Sequence, residues 1–179
     1  MGRKGDQTRA VILAAARERF AESGYEAATI RAIAADADID PSMVMRYFGT
    51  KDQLFAAAAE FDLHFPDLSD VPPDELGTAL VGHFLKLWED DEALVVLLRS
   101  ATTNAEAAQR MKDIFAAQLL PAITKFVPDD APRRAGLIAT QVLGMALCRF
   151  VLKLPPVVGL SRGELVDWLG PTLQRYATE

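Results

Sequence analysis

The sequence predicts an all-α protein: an N-terminal three-helix domain containing a helix-turn-helix, followed by a larger helical domain. Three observations carry this. Apolar residues recur at intervals of three and four along most of the chain, no run of alternating β-branched residues is bounded by turns, and prolines gather in short polar stretches between the apolar runs. A chain of 179 residues, half of them apolar, is long enough for one small domain joined to a larger one.

The first predicted helix runs from about Thr8 to Ala21 and ends in the loop Glu22-Ser23-Gly24-Tyr25-Glu26. Next, Ile30, Ile33, Ala34 and Ala37 fall at i, i+3, i+4 and i+7, which puts them on one helical face and leaves Arg31 off it. Asp40 before Pro41 marks a new helix start, an N-cap acceptor followed by a proline at the first helical position, and Val44 and Phe48 recur at i+4. Only Asp38-Ile39 lies between the two helices, so the second must cross the first steeply, as in a DNA-reading helix-turn-helix.

A fourth helix is predicted from Lys51 to about Phe65, after the cap-like Thr50 and before Pro66, with Leu54, Ala58, Phe61 and Phe65 on one side. Pro66 to Pro73 reads as a loop. Helices then follow from Asp74 through Leu80, Phe84, Leu87 and Trp88, from about Glu92 to Ser100, and from Ala105 to Phe126 with a bend near Pro121. The last two run from Arg134 to Leu154, nearly all apolar, and from Glu164 to Tyr176. The expected division is residues 1–52 and 53–179.

The net charge of −6 is unevenly spread: residues 1–52 hold 8 basic and 8 acidic side chains, so the excess acid lies in the second part. Arg3, Lys4, Arg9, Arg17 and Arg19 face only Asp6 and Glu18 in the first 20 residues, an arrangement expected to meet a phosphate backbone. The single cysteine, Cys148, excludes an internal disulfide and reads as a buried small hydrophobe among Leu147, Phe150 and Val151. No uninterrupted apolar span of 18 residues and no apolar signal core are visible, so a soluble, cytoplasmic protein is expected.

The stretch Thr29 to Phe55, and above all Arg46-Tyr47-Phe48-Gly49-Thr50-Lys51-Asp52, resembles the N-terminal domain of TetR-family transcriptional regulators, with the preceding helix and Gly24 loop also in place. The family usually has Tyr where this chain has Met45, and a thioether cannot donate that hydrogen bond to a phosphate. The resemblance implies a sequence-specific DNA-binding regulator, most often a repressor, that grips an inverted-repeat operator as a homodimer and is released by a small-molecule effector. Carried over by position, Arg31, Pro41, Ser42, Met43 and Arg46 would face the bases, and Thr29, Tyr47 and Lys51 would hold phosphates. Dimerisation would use the last two long helices, through Leu143, Leu147, Phe150, Val151, Leu165, Trp168, Leu169 and Leu173.

An effector would be hydrophobic, and its candidate lining is the set of aromatic or polar side chains set in apolar helices: Phe61, Phe84, Trp88, Phe115, Gln118, Gln141 and Met145. Its binding is expected to move the Lys51–Phe65 helix. No cofactor, metal or membrane is expected, nor an enzyme. Glu60 and His64 at i, i+4 with a distant His83 do not make a three-ligand metal site, and no Gly-rich phosphate loop or nucleophile elbow is present. The competing readings are a transcriptional activator, or a helical interaction module with uniform, steeply salt-dependent affinity for DNA.

Overall fold

In a computed structural model of the chain, residues 3–59, 61–66, 68, 70–127 and 129–178 are described. Among them the secondary structure is helical, and they form two compact units: residues 1–60 with 100–110, and residues 61–99 with 111–179. The first unit takes in the whole fourth helix, beyond the boundary expected at residue 52, and also the 100–110 segment.

In the first unit, α1 (Arg3–Ala27) begins earlier than expected and is broken at Gly24, whose φ of 71° and ψ of 171° only glycine adopts without strain. α2 (Ile30–Asp36) and α3 (Pro41–Phe48) form the predicted pair. Asp38 between them is left-handed, a conformation that Asp tolerates. The core is drawn from one face of each helix: Ile12, Ala16, Ile33, Ala34, Val44, Phe48 and Leu54 are all buried.

The fourth helix, α4 (Lys51–Ala58), stops well short of the expected Phe65. Ala59 is extended (ψ 135°), and the freed carbonyls are taken by arginines: Arg17 Nε donates to Ala58 O at 2.8 Å and Arg110 to Ala59 O at 3.4 Å. Phe61 and Phe65 therefore do not share the helical face of Leu54. In the second unit, residues 61–66 instead alternate, with Phe61 and Leu63 buried and Asp62 and His64 exposed. Gln118 holds this strap, its Nε2 donating to Phe61 O and its Oε1 accepting from Leu63 N, both at 2.7 Å.

The second unit is built on α5 (Leu76–Asp90) packed closely on α11 (Arg162–Thr178). The approach is possible because Gly77 lacks a Cβ, which would lie 2.2 Å from Gly170 O, and Gln174 ties the pair by accepting from Gly77 N at 2.7 Å. α6 (Glu92–Ala101) follows; α7 (Ala105–Ile114), whose first part belongs to the first unit, is capped by Asn104, whose Oδ1 accepts from Ala107 N. The single helix expected over 105–126 is divided by a π-helical turn at Phe115–Leu119 before α8 (Leu120–Phe126), because Pro121 has no N–H to continue the α-ladder.

α9 (Ala131–Ala146) likewise widens into a π-helical turn at Leu147–Val151, so the long helix ends before the expected Leu154. The short α10 (Pro155–Val158) leads into α11, and Arg149 pins this connection by donating to Val157 O at 2.8 Å and Leu160 O at 2.9 Å. Residues 131–151 are long and apolar enough to meet a membrane-span criterion, as core and interface helices of soluble proteins also are. Only 28% of their most apolar window is buried within the chain.

Candidate nucleic-acid interface

The helix-turn-helix is fixed by three successive caps. Thr29 Oγ1 accepts from Ala32 N at 3.1 Å, starting α2. Asp40 Oδ1 accepts from Ser42 N at 2.8 Å and from Ser42 Oγ at 2.5 Å, starting α3. Those two bonds hold the Asp40 carboxyl below its ordinary pKa, the serine hydroxyl contributing most. Thr50 starts α4 with a full capping box: its hydroxyl accepts from Gln53 N at 3.1 Å, and Gln53 Oε1 accepts from Thr50 N at 3.0 Å. Between α3 and α4 stands Gly49 at φ 75°, ψ −71°.

With Val44 and Phe48 buried, α3 turns Pro41, Ser42, Met45 and Arg46 outward. These positions fall at i, i+1, i+4 and i+5, one stripe of a helix. Arg31 on α2 is also exposed. Met43 is half-buried beside the stripe. Met45 was named from sequence only as a lost phosphate contact, yet it lies 44% exposed on the same face as Arg46, at the i+4 spacing from Pro41 that would have found it.

The three phosphate-contact candidates differ in freedom. Thr29 is exposed, and its capping role uses a lone pair, leaving the hydroxyl hydrogen to donate. Tyr47 is half-buried, with the Arg46 guanidinium 5.6 Å from its ring centroid. Lys51 lies against Tyr25, its Nζ 4.3 Å from the ring centroid and donating to Glu26 O at 3.3 Å. Tyr25 in turn donates to Asp52.

The arginines expected to form a phosphate face have other partners. Arg9 pairs with Glu106 and lies over Phe48, and Arg17 caps α4. Arg19 binds Asp36 in a forked pair at 2.5 and 2.7 Å, which raises the guanidinium pKa and lowers that of the carboxyl. The side chains of Arg3 and Lys4, and Glu60 of the Glu60–His64 pair, lie outside the described residues. Among the described residues no cluster of three His, Cys, Asp or Glu is placed to hold a metal ion.

In the second unit, Phe84, Trp88 and Phe115 line a cavity of about 50 Å³ together with Leu63, Met111 and Val142. Gln141 and Met145 border a separate void of about 10 Å³. Gln118 is committed to the 61–63 strap, and Phe61 is buried without lining either space. Of the interface candidates, Leu165 and Leu173 are 4% and 1% exposed within the chain's own core, and so have no surface left to offer a partner. Leu143 lines the first cavity. Leu147, Phe150, Val151 and Leu169 are partly exposed and Trp168 is 77% exposed. Cys148 is half-buried, not enclosed.

Comparison with known proteins bears on both units. The profile of a family described as bacterial regulatory proteins, tetR family, matches residues 12–58, and that of a family described as tetracyclin repressor-like, C-terminal domain, matches residues 74–177. Over 55 residues the chain is 46% identical to the HTH-type transcriptional repressor Rv3405c of Mycobacterium tuberculosis, and equally to the HTH-type transcriptional regulator Mb3439c of Mycobacterium bovis. That stretch is 31% of this chain and 29% of either relative. A solved structure of a TetR-family regulator from Streptomyces coelicolor is 29% identical, is covered in full along with this chain, and superposes with a TM-score of 0.50.

Proposed function

Because this chain belongs to the TetR family of transcriptional regulators, we propose that it binds an inverted-repeat operator as a homodimer, represses from it, and is released when a small apolar molecule occupies the second unit. The observation that carries the reading is the outward stripe of α3. Ser42 and Arg46 are exposed beside Met45 on a helix anchored from behind by Val44 and Phe48, with no acidic side chain between Pro41 and Phe48. Arginine pairs bidentately with guanine, serine bonds several bases, and a methionine meets a thymine methyl by apolar contact. Arg31, Pro41 and Met43 complete the reading set, while Thr29, Tyr47 and Lys51 would set register on phosphates.

The dimer is supported by apolar surface that the chain leaves uncovered: Trp168 at 77%, Leu137 at 36% and the sparsely buried 131–151 segment. A two-fold interface built there would present two α3 helices to successive major grooves. Leu147, Phe150, Val151, Trp168 and Leu169 are its core in this reading.

Selection of bound sequences from a random DNA pool at physiological salt tests the proposal. Enrichment of an inverted repeat is the expected result, and enrichment of nothing, with uniform affinity for all sequences, overturns it. On the selected site, Arg46→Ala is expected to lose about 1–3 kcal/mol at particular base pairs. Tyr47→Phe and Lys51→Ala are expected to weaken all sequences alike. An unchanged base-preference profile removes Arg46 from the reading set.

A further inference from the structure

Lys51 differs from other basic side chains of the first unit in what holds it. Arg9 and Arg19 are paired with carboxylates and Arg17 caps a helix end. Lys51 is instead bound by two groups that leave its charge uncompensated: the Tyr25 ring, whose centroid lies 4.3 Å from Nζ, and the carbonyl of Glu26 at 3.3 Å. One of its three N–H donors is committed to that carbonyl, which leaves two for a phosphate. Tyr25 is itself fixed. Gly24, at φ 71°, breaks the helix just before it, and its ring lies against the buried Phe20 and Phe55, with centroids 6.2 and 4.9 Å away. Its hydroxyl donates to the Asp52 carboxylate. Lys51 and Phe55 are i, i+4 neighbours on α4, so a single ring reaches both along one face of that helix.

We propose that Tyr25 is a positioning residue for DNA binding: its ring presets the Lys51 ammonium where a phosphate is met, through a cation–π contact kept in the complex. The assignment rests on the reading of Lys51 as a phosphate contact and gives the reason a flexible side chain can serve there. An unrestrained lysine samples many rotamers, and ordering one at an interface weakens binding by about two- to tenfold. The ring removes much of that cost before DNA arrives. In these terms the apparent affinity scales with the fraction of free protein whose ammonium is already on the ring. A cation–π contact at a partly exposed site is worth about a two- to fivefold preference, which sets the size of the effect for each head.

Binding of the full chain to a short duplex of arbitrary sequence at low salt, where phosphate contacts dominate, tests this without an operator. Tyr25→Phe keeps the ring and serves as the baseline. Phenylalanines carrying one, two and three ring fluorines at position 25 nearly keep its shape while draining the negative face that attracts a cation. Affinity is expected to fall stepwise along the series, by about two- to fivefold in total for each head. In a Lys51→Ala background the same series is expected to be flat. A packing role alone would give the same response in both backgrounds.

Tyr25→Leu, which removes the ring altogether, is expected to lose about two- to tenfold for each head in the parent and nothing further in Lys51→Ala. The fluorinated series carries the test if that variant does not fold. A series flat in the parent, or an equal fall in both backgrounds, overturns the positioning role. So does tighter binding by the fluorinated proteins, which would show that the ring withholds the ammonium from DNA. A Lys51→Ala protein with the parent's affinity and salt slope overturns the phosphate reading as well, whereas a loss in Lys51→Ala beside a flat series leaves that reading standing and removes only Tyr25.

Discussion

Replacing Gly49 by alanine tests how the end of α3 is held, because the structure assigns the substitution two separable costs. At φ 75°, ψ −71° an L-residue is strained by roughly 1–3 kcal/mol. The new Cβ would also stand 2.1 Å from Gln53 Oε1, the atom that accepts from Thr50 N in the capping box. Gln53 must swing away, and the lost bond adds about 0.5–1.5 kcal/mol. Gly49→Ala is therefore expected to destabilise the first unit by about 2–4 kcal/mol, a fall of about 1–2 M in the urea midpoint for a slope near 2 kcal/mol/M. The three atoms nearest the new Cβ all belong to the Gln53 side chain. In a Gln53→Ala background only the strain should then remain, and the two backgrounds should differ by about 1 kcal/mol. Far-UV circular dichroism at fixed protein concentration measures all four proteins. Equal costs in both backgrounds, or a Gly49→Ala protein as stable as the parent, would refute the account.

Two further outcomes follow from the second unit. Gly77 and Gly82 lie on the same helix, but a Cβ at Gly77 meets α11 backbone at 2.2 Å while one at Gly82 meets nothing within 4 Å. Gly82→Ala is expected to stabilise by up to about 1 kcal/mol through helix propensity, and Gly77→Ala to destabilise by about 1–2 kcal/mol after the same gain is set against overpacking. Thermal melts with the same sign for both would sink this. Separately, burial lowers the His83 pKa, with His64 and Lys86 pushing the same way against a raising hydrogen bond from its Nε2 to Leu63 O at 2.9 Å. A histidine whose folded pKa lies below its unfolded value favours folding above the unfolded value, near 6.5, and loses that contribution as pH falls through the folded pKa. The melting temperature is expected to drop between pH 7 and pH 5, and less so in His83→Gln; parallel profiles would show that another group is responsible.

The helix-turn-helix was legible because its signals are local. Asp40-Pro41 and Thr50 are caps that act within three residues, and the buried Val44 and Phe48 recur at helical spacing. The end of α4 was not, because Leu54, Ala58, Phe61 and Phe65 fit one face of a helix started at Lys51 well enough to hide the alternation of residues 61–64. What decides against the helix is distant in sequence: Arg17 and Arg110 accept the role of capping its carbonyls, and Gln118 bonds both edges of the extended strap. The same limit applies to the last helices. Leu165, Trp168, Leu169 and Leu173 read as one apolar stripe, but the packing of α11 on α5, set by residues far apart in sequence, buries Leu165 and Leu173 and leaves Trp168 outside.

The basic residues show why composition is a poor guide to a nucleic-acid surface. Arg9, Arg17 and Arg19 are the densest positive run in the described N-terminal helix, yet each is tied to an acid or a carbonyl of its own unit. An arginine held in a forked pair with Asp36 carries its charge but contributes little net field, since the carboxylate sits within 2.7 Å. The grip proposed for DNA falls to side chains that the fold leaves outward, Arg31 and Arg46, and to the half-exposed Lys51. With so few outward cations among the described residues, the proposed head is expected to bind arbitrary DNA weakly and with a shallow salt dependence. In the proposed reading, discrimination comes from base contacts along α3, doubled by two-fold symmetry. Under that proposal a single head is a poor binder, which is the physical reason a dimer built on the uncovered apolar surface around Trp168 would matter to the function proposed for α3.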